Sequence, residues 1–123
     1  MIAGTVGARL EVSITLRIFG PGGQTQDVTA AIDTGYNGGL TLPLTVVTAL
    51  NLTQLAAKEV TLGDNRRRVM SFFDAVVLWD GRMRRTRVLC AEVKLLVGTA
   101  LLRGHHLGID FVSGGTASIT SLP

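Results

Sequence analysis

Residues 30–43 read Ala30-Ala31-Ile32-Asp33-Thr34-Gly35-Tyr36-Asn37-Gly38-Gly39-Leu40-Thr41-Leu42-Pro43. The aspartate in that stretch decides how the rest of the chain is read. A carboxylate placed directly after an apolar strand carries a large desolvation cost unless it is paired or kept neutral. One local answer is a turn, because Asp-Thr-Gly lets the Asp side chain bond nearby backbone N–H groups. The other is a site that uses the charge.

Upstream, Leu10, Val12, Ile14, Leu16 and Ile18 alternate with Arg9, Glu11, Ser13, Thr15 and Arg17. That period of two predicts a half-buried strand from Ala8 to Phe19. Gly20-Pro21-Gly22-Gly23 marks a turn, so Thr25 to Ile32 returns as the second arm of a hairpin ending at Asp33. Downstream, Leu40 to Leu42 is extended. Pro43 opens a helix of two turns on which Leu44, Val47 and Leu50 share a face. A long hairpin follows: Glu59 to Leu62, a tip at Gly63-Asp64-Asn65, and Arg66 to Leu78. Asp80-Gly81 is a two-residue hairpin signal, and Arg82 to Glu92 alternates with Met83, Val88 and Cys90 as apolar members. Leu95 to Gly98 is a short buried strand, Thr99 to Arg103 a helical turn, and Leu107 to Val112 with Thr116 to Thr120 a terminal hairpin.

Composition agrees with an all-β domain. Apolar residues make up 46% of 123, enough for one core, and fifteen glycines punctuate runs rich in Val, Ile, Thr and Leu. One domain is expected across residues 1–123. No basic n-region precedes an apolar run, and no apolar stretch approaches the ~20 residues of a membrane span, so a cytoplasmic protein with no membrane partner is the expectation. Cys90 is the only cysteine, which excludes an intrachain disulfide.

The stretch from Ala30 to Pro43 resembles the active-site segment of retropepsin-like aspartic peptidases. The match is closest to small bacterial single-domain members with an Asp-Thr-Gly-aromatic-Asn-Gly pattern, here Asp33 to Gly38. About 60 residues later, Leu96-Val97-Gly98 leading into Thr99-Ala100-Leu101-Leu102 resembles the family's second signature, two apolar residues, a glycine and a helical turn. The resemblance covers essentially the whole chain. It implies a closed β barrel with one or two short helices, acting as a homodimer on a peptide or protein substrate. It also implies that loops at Asp33 to Gly35 and around Gly98 cross beneath the site, and that the long hairpin is a flap.

Only one Asp-Thr-Gly is present; Asp80 lies in a tight turn and Asp110 has no glycine after it. The two carboxylates such an enzyme needs must then come from two copies related by a twofold axis. By this resemblance Asp33 is the catalytic residue, with Thr34 and Gly35 in support. Carboxylates about 3 Å apart do not both ionise readily, so Asp33 and its symmetry mate would share a proton. The ionised member would activate a water and the protonated one would bond the scissile carbonyl. No metal or organic cofactor is implied. Thr34 would bond the opposite loop across the dimer, or else form an ST-turn in its own chain. Tyr36, Asn37, Gly38, Val97 and Gly98, with Gly63, Asp64 and Asn65 of the flap tip, are the candidate cleft residues.

The chain departs from retroviral members at three places. Tyr36 stands where they have a small residue, and a ring there would narrow or reshape the cleft. Asn37 and Thr99-Ala100 replace the acid and the Arg-Asn whose ion pair lies near their dimer interface. The terminal strands Met1 to Val6 and Ala117 to Leu122 are the substitute dimer contacts to look for. The tip Gly63 to Arg66 is polar and charged, so it either covers a peptide with hydrogen bonds or is an exposed turn. Tyr36 and this tip also fit a second function, a non-catalytic module that dimerises or binds peptides on the same barrel.

Other residues carry less. The net charge is +3, and seven of twelve basic residues lie between Arg66 and Arg87, which raises nucleic acid as a partner. Against it, Phe72, Phe73 and Trp79 are the only aromatics interleaved there, and arginines alternating on a strand form a solvated face. His105-His106 point to opposite faces of a strand and lack further ligands, so solvent-facing loop histidines are expected instead of a metal site. Cys90 has no Cys/His pattern around it and reads as a small buried hydrophobe. Trp79 reads as a cover over the core at a hairpin end.

Overall fold

The computed structural model describes residues 1–61 and 63–123. Strands account for 55% of the chain and helices for 8%, an all-β architecture. In chain order the elements are β1 (Ile2–Val6), β2 (Val12–Phe19), β3 (Thr25–Ile32), β4 (Leu40–Leu42), α1 (Leu44–Ala49), β5 (Thr53–Thr61), β6 (Arg67–Trp79), β7 (Arg82–Cys90), β8 (Leu96–Val97), α2 (Thr99–Leu102), β9 (His105–Ile109) and β10 (Thr116–Ser121). The strand end expected at Leu62 lies outside the described residues. No helix among the described residues is long and apolar enough to cross a membrane.

All ten strands join one sheet in the order β5-β6-β7-β4-β8-β3-β2-β1-β10-β9. In addition, β6 pairs with β2 through Ile18↔Val77 and Phe19↔Val76. The pairings β2–β6–β7–β4–β8–β3–β2 therefore return to their start, and β1, β10 and β9 extend from β2 outside that circuit. The reason is legible in β2. Val12, Ile14, Leu16 and Ile18 are buried while Thr15 and Arg17 are exposed, so one face meets the core and the backbone has both edges free for β3 and β6.

The core gathers Ile14, Leu16, Ile18, Leu40, Leu42, Leu50, Val77, Val88, Val97, Leu101 and Ile119, each 2% exposed or less. Trp79 belongs to it. Pro43 caps α1, whose buried residues are Val46 and Val47; Leu44, expected on the inner face, is the first helical residue and is exposed. Asp80 and Gly81 have φ of 52° and 77°, both positive as a type I′ turn requires, and they set Trp79 opposite Arg82.

Several expectations change. The strand expected from Ala8 begins at Val12, and Leu10 (φ 61°) sits in a turn closed by Gly7 N–H to Glu11 O at 2.9 Å. Since β1 and β2 are antiparallel neighbours, the chain must reverse there, and alternation alone does not register a reversal. β5 starts at Thr53, six residues before Glu59. On β7, the turn register places Arg84, Thr86 and Val88 on the inner face, and Met83 is 58% exposed. His105 and His106 begin β9 and are not in a loop.

The terminal strands pair with each other inside one chain, from Ile2↔Ile119 to Thr5↔Thr116, and β9 takes the other edge of β10. Neither edge of β10 is open to a second chain by backbone pairing.

Ile18 is fully buried where β2 meets both β3 and β6. Ile18→Ala should cost about 2–5 kcal/mol in urea unfolding. Exposed Met83→Ala should stay within about 0.5 kcal/mol of the parent.

Candidate active site

Asp33 leaves the end of β3, and its position is set by β8. The parallel pairing Ala31↔Leu96 and Ile32↔Val97 continues as Ala31 N–H to Leu95 O (2.8 Å) and Asp33 N–H to Val97 O (2.9 Å). On its other side β8 pairs antiparallel with β4, at Leu40↔Val97. β8 thus lies between two strands that are consecutive in sequence, and residues 33–39 must pass around its end. Thr41, a buried polar residue, locks this arrangement. Its Oγ1 donates to Lys94 O and accepts from Leu96 N–H, both at 2.8 Å.

The second motif then stitches the loop down. Gly98 N–H donates to Gly39 O (2.9 Å), Thr99 N–H to Tyr36 O (2.8 Å) and Ala100 N–H to Gly38 O (3.1 Å). Thr99 and Ala100, which stand in place of Arg-Asn, make their contacts to the loop through the backbone. Gly98 must lack a side chain, since a Cβ would fall 2.2 Å from Gly38 O and 2.5 Å from Tyr36 O.

Within the loop, Asp33 Oδ1 accepts the Gly35 N–H at 2.9 Å, and Tyr36 N–H donates to Asp33 O at 3.1 Å. This is the turn chemistry of the tripeptide. Asp33 is half-buried, and among the described residues it takes part in no ion pair. Among the described residues its Oδ2 receives no hydrogen bond. The site therefore offers one oriented carboxylate with an open oxygen, enough for a base or a hydrogen-bond acceptor. An acid and a base at once would need a second carboxylate. Asp80 is bonded to the Met1 ammonium, and exposed Asp110 is contacted by Thr116 Oγ1 at 3.4 Å.

Thr34 and Asn37 are exposed, and among the described residues the Thr34 hydroxyl forms no ST-turn bond. Tyr36 is half-buried, its ring turned onto Gly38 of the loop and Gly98 of the second motif. A Cβ on Gly38 would meet its Oη at 2.2 Å, and one on Gly98 its Cδ2 at 2.6 Å. Burial raises the phenol above its ordinary pKa.

The β5–β6 hairpin outruns its neighbour. The last β6–β7 pair is Ser71↔Cys90, whereas β5 and β6 stay paired to Thr61↔Arg67. Its outer part is a two-stranded arm. At its tip Gly63, Asp64 and Asn65 (φ 64°) are exposed, and Asp64 binds Arg66 through N–H (3.1 Å) and Nε (3.3 Å). No hydrogen bond among the described residues joins this tip to residues 33–39.

The remaining candidates resolve individually. Arg67 pairs with Glu59 and Arg85 with Asp74, while Arg87 lies over the Phe72 ring at 5.1 Å, so much of the basic run is already partnered. Burial, then Glu92, pushes the Cys90 thiol up, away from the ready thiolate a nucleophile needs. His105 Nε2 accepts the Trp79 indole N–H at 3.1 Å. Among the described residues no three His, Cys, Asp or Glu side chains converge as a metal site. Comparison with protein-family models, curated proteins and solved structures finds no match for the chain.

Two measurements follow from this geometry. Gly98→Ala should destabilise by about 1–3 kcal/mol, because backbone carbonyls face the new methyl. Gly63→Ala, with nothing within 4 Å of its Cβ, should be near neutral in the same unfolding assay. Tyr36 is the only tyrosine, so ultraviolet titration of the phenolate reads it alone. It should ionise above the ordinary phenol range in the folded chain and within it in urea. The folded state then keeps a proton the unfolded state has released, and this contribution to stability falls as pH rises past the ordinary value.

Proposed function

We propose that this chain is an aspartic-type endopeptidase of the retropepsin-like kind. It hydrolyses peptide bonds with a water activated by Asp33 and the Asp33 of a second copy. The supporting observation is the stitching of two motifs distant in sequence, in which Gly98, Thr99 and Ala100 donate to the loop that carries Asp33. A turn aspartate needs only its own Gly35 N–H. Three further hydrogen bonds from another segment, to the carbonyls of Tyr36, Gly38 and Gly39, brace the loop that carries the carboxylate, and a reaction requires such a fixed frame.

In this reading the circuit of pairings from β2 through β6, β7, β4, β8 and β3 is a closed barrel, and the β5–β6 arm is the flap. The open Asp33 Oδ2 and the exposed Thr34 hydroxyl face the partner copy. Two carboxylates brought together there share one proton. The charged member takes a proton from water as it attacks the carbonyl carbon. The neutral member bonds the developing oxyanion, and a proton passes to the leaving nitrogen. The substrate runs beneath the arm, with Tyr36, Asn37 and Gly38 near the cleft floor; Val97, expected at the cleft, is instead fully buried in the core. The second reading, a barrel that dimerises or binds peptides without turnover, differs only in the chemical step.

Incubation with a diverse peptide library over acid and neutral pH, read by mass spectrometry, tests the proposal. Cleavage should fall at least about 100-fold in Asp33→Ala. Specific activity should also drop on dilution as dimers separate. Equal cleavage by Asp33→Ala would sink the peptidase reading, and peptide binding without turnover would select the second one.

A further inference from the structure

The proposed reaction leaves one large feature unused. Around the β6–β7 turn and the segment after α2 lies a cleft of about 580 Å³, within the range of small-molecule sites. None of residues 33–39 lines it. Three of its walls are arginines: Arg82 and Arg84, two apart on β7 and so on one face, and Arg103 beyond α2.

These arginines are not equivalent. Arg84 is fixed, donating Nη1 to Leu101 O (2.7 Å) and Nη2 to Ala100 O (3.0 Å) while its guanidinium lies 5.7 Å from the Trp79 ring centre. Two of its five donors are used and the rest remain. Arg82 and Arg103 are exposed and take part in no ion pair among the described residues. The lone carboxylate of the cleft, Asp80, is already bonded to the Met1 ammonium. The cleft is thus a concave, unneutralised positive site with one guanidinium held rigid. Guanidinium forks match the oxygens of carboxylates and phosphates, and an anion seated there would relieve the repulsion among three like charges. The volume exceeds that of a bare oxyanion, and Met83, 58% exposed on the wall, offers an apolar surface.

We propose that the cleft formed by Arg82, Arg84 and Arg103 binds a small organic anion through a phosphate or carboxylate group. This site is independent of Asp33 and of the peptidase reading.

Trp79, the only tryptophan, lines the cleft, so its fluorescence reports occupancy, with calorimetry as a second readout. Inorganic pyrophosphate and citrate, titrated at low ionic strength, serve as phosphate and carboxylate probes. At least one should bind saturably with a dissociation constant of about 1 mM or tighter. Pyrophosphate alone marks a phosphate ligand, and citrate alone a carboxylate ligand. The double variant Arg82→Ala/Arg103→Ala, whose replaced side chains make no hydrogen bond or ion pair among the described residues, should fold by circular dichroism and bind at least tenfold more weakly. Asp80→Asn, which removes the opposing charge at a position an Asn tolerates, should bind more tightly, and Asp33→Asn should bind as the parent does. No saturable binding of either probe, or unchanged affinity in the double variant, overturns the proposal.

Discussion

The structure depends on β8, two residues long, being held between β3 and β4. Consecutive strands ordinarily pair with each other, and here the chain forgoes that local contact to admit Leu96 and Val97 from a distant segment. Such an insertion closes long loops and gains nothing until β8 arrives. Its backbone groups must therefore be fully used once it does. Asp33 and Ala31 bond its carbonyl side, Thr41 takes up Leu96 N–H, and Gly98 bonds Gly39. Leaving any of these unmet in a core where Val97 is fully buried would cost about 1–3 kcal/mol each.

The same insertion produces the site. Because β8 separates β3 from β4, residues 33–39 cannot form a tight hairpin and must bulge around it. A wide loop at the end of a buried strand exposes backbone donors and acceptors, and the N–H groups of Gly98, Thr99 and Ala100 are the nearest complement. Glycine at 98 lets the two backbones approach within hydrogen-bonding distance, and the Tyr36 ring fills the space that remains beside it. Asp33 is positioned as a by-product of solving this packing problem. Its carboxylate is left half out of the core, where desolvation is tolerable and one oxygen stays open.

Local sequence chemistry made part of this legible. β3 and β4 lie at the bounds read from the sequence because turn residues and apolar runs coincide there, and Pro43 opens α1 as expected. β5 was hidden from Thr53 to Lys58 because its residues there are exposed or only half-buried and leave no alternation to read; it is a strand because β6 supplies hydrogen bonds, with a bulge near Leu55. Hydrophobicity at Met83 does not mean burial, because the Asp80-Gly81 turn sets the register and turns it outward. Nothing beside His105 in the sequence announces its role, because its partner, the Trp79 indole, is 26 positions away. Thr41 was passed over although a polar residue between two leucines at a strand centre was the available signal.

Self-pairing of the termini bears on how the site could be completed. With β1 and β9 on its two edges, β10 has no backbone left to share, so a second copy cannot join by extending the sheet there. Two carboxylates can meet only if the loops bearing them meet, which places residues 33–37 at the contact itself. Thr34 and Asn37 are exposed on that loop, and the Thr34 hydroxyl makes no hydrogen bond among the described residues. A contact resting on short loops buries little area and depends strongly on concentration. For an enzyme of the proposed kind that weakness has a chemical consequence. The shared proton exists only while two copies are together, so a separated copy holds a fully built half-site that cannot divide the roles of acid and base.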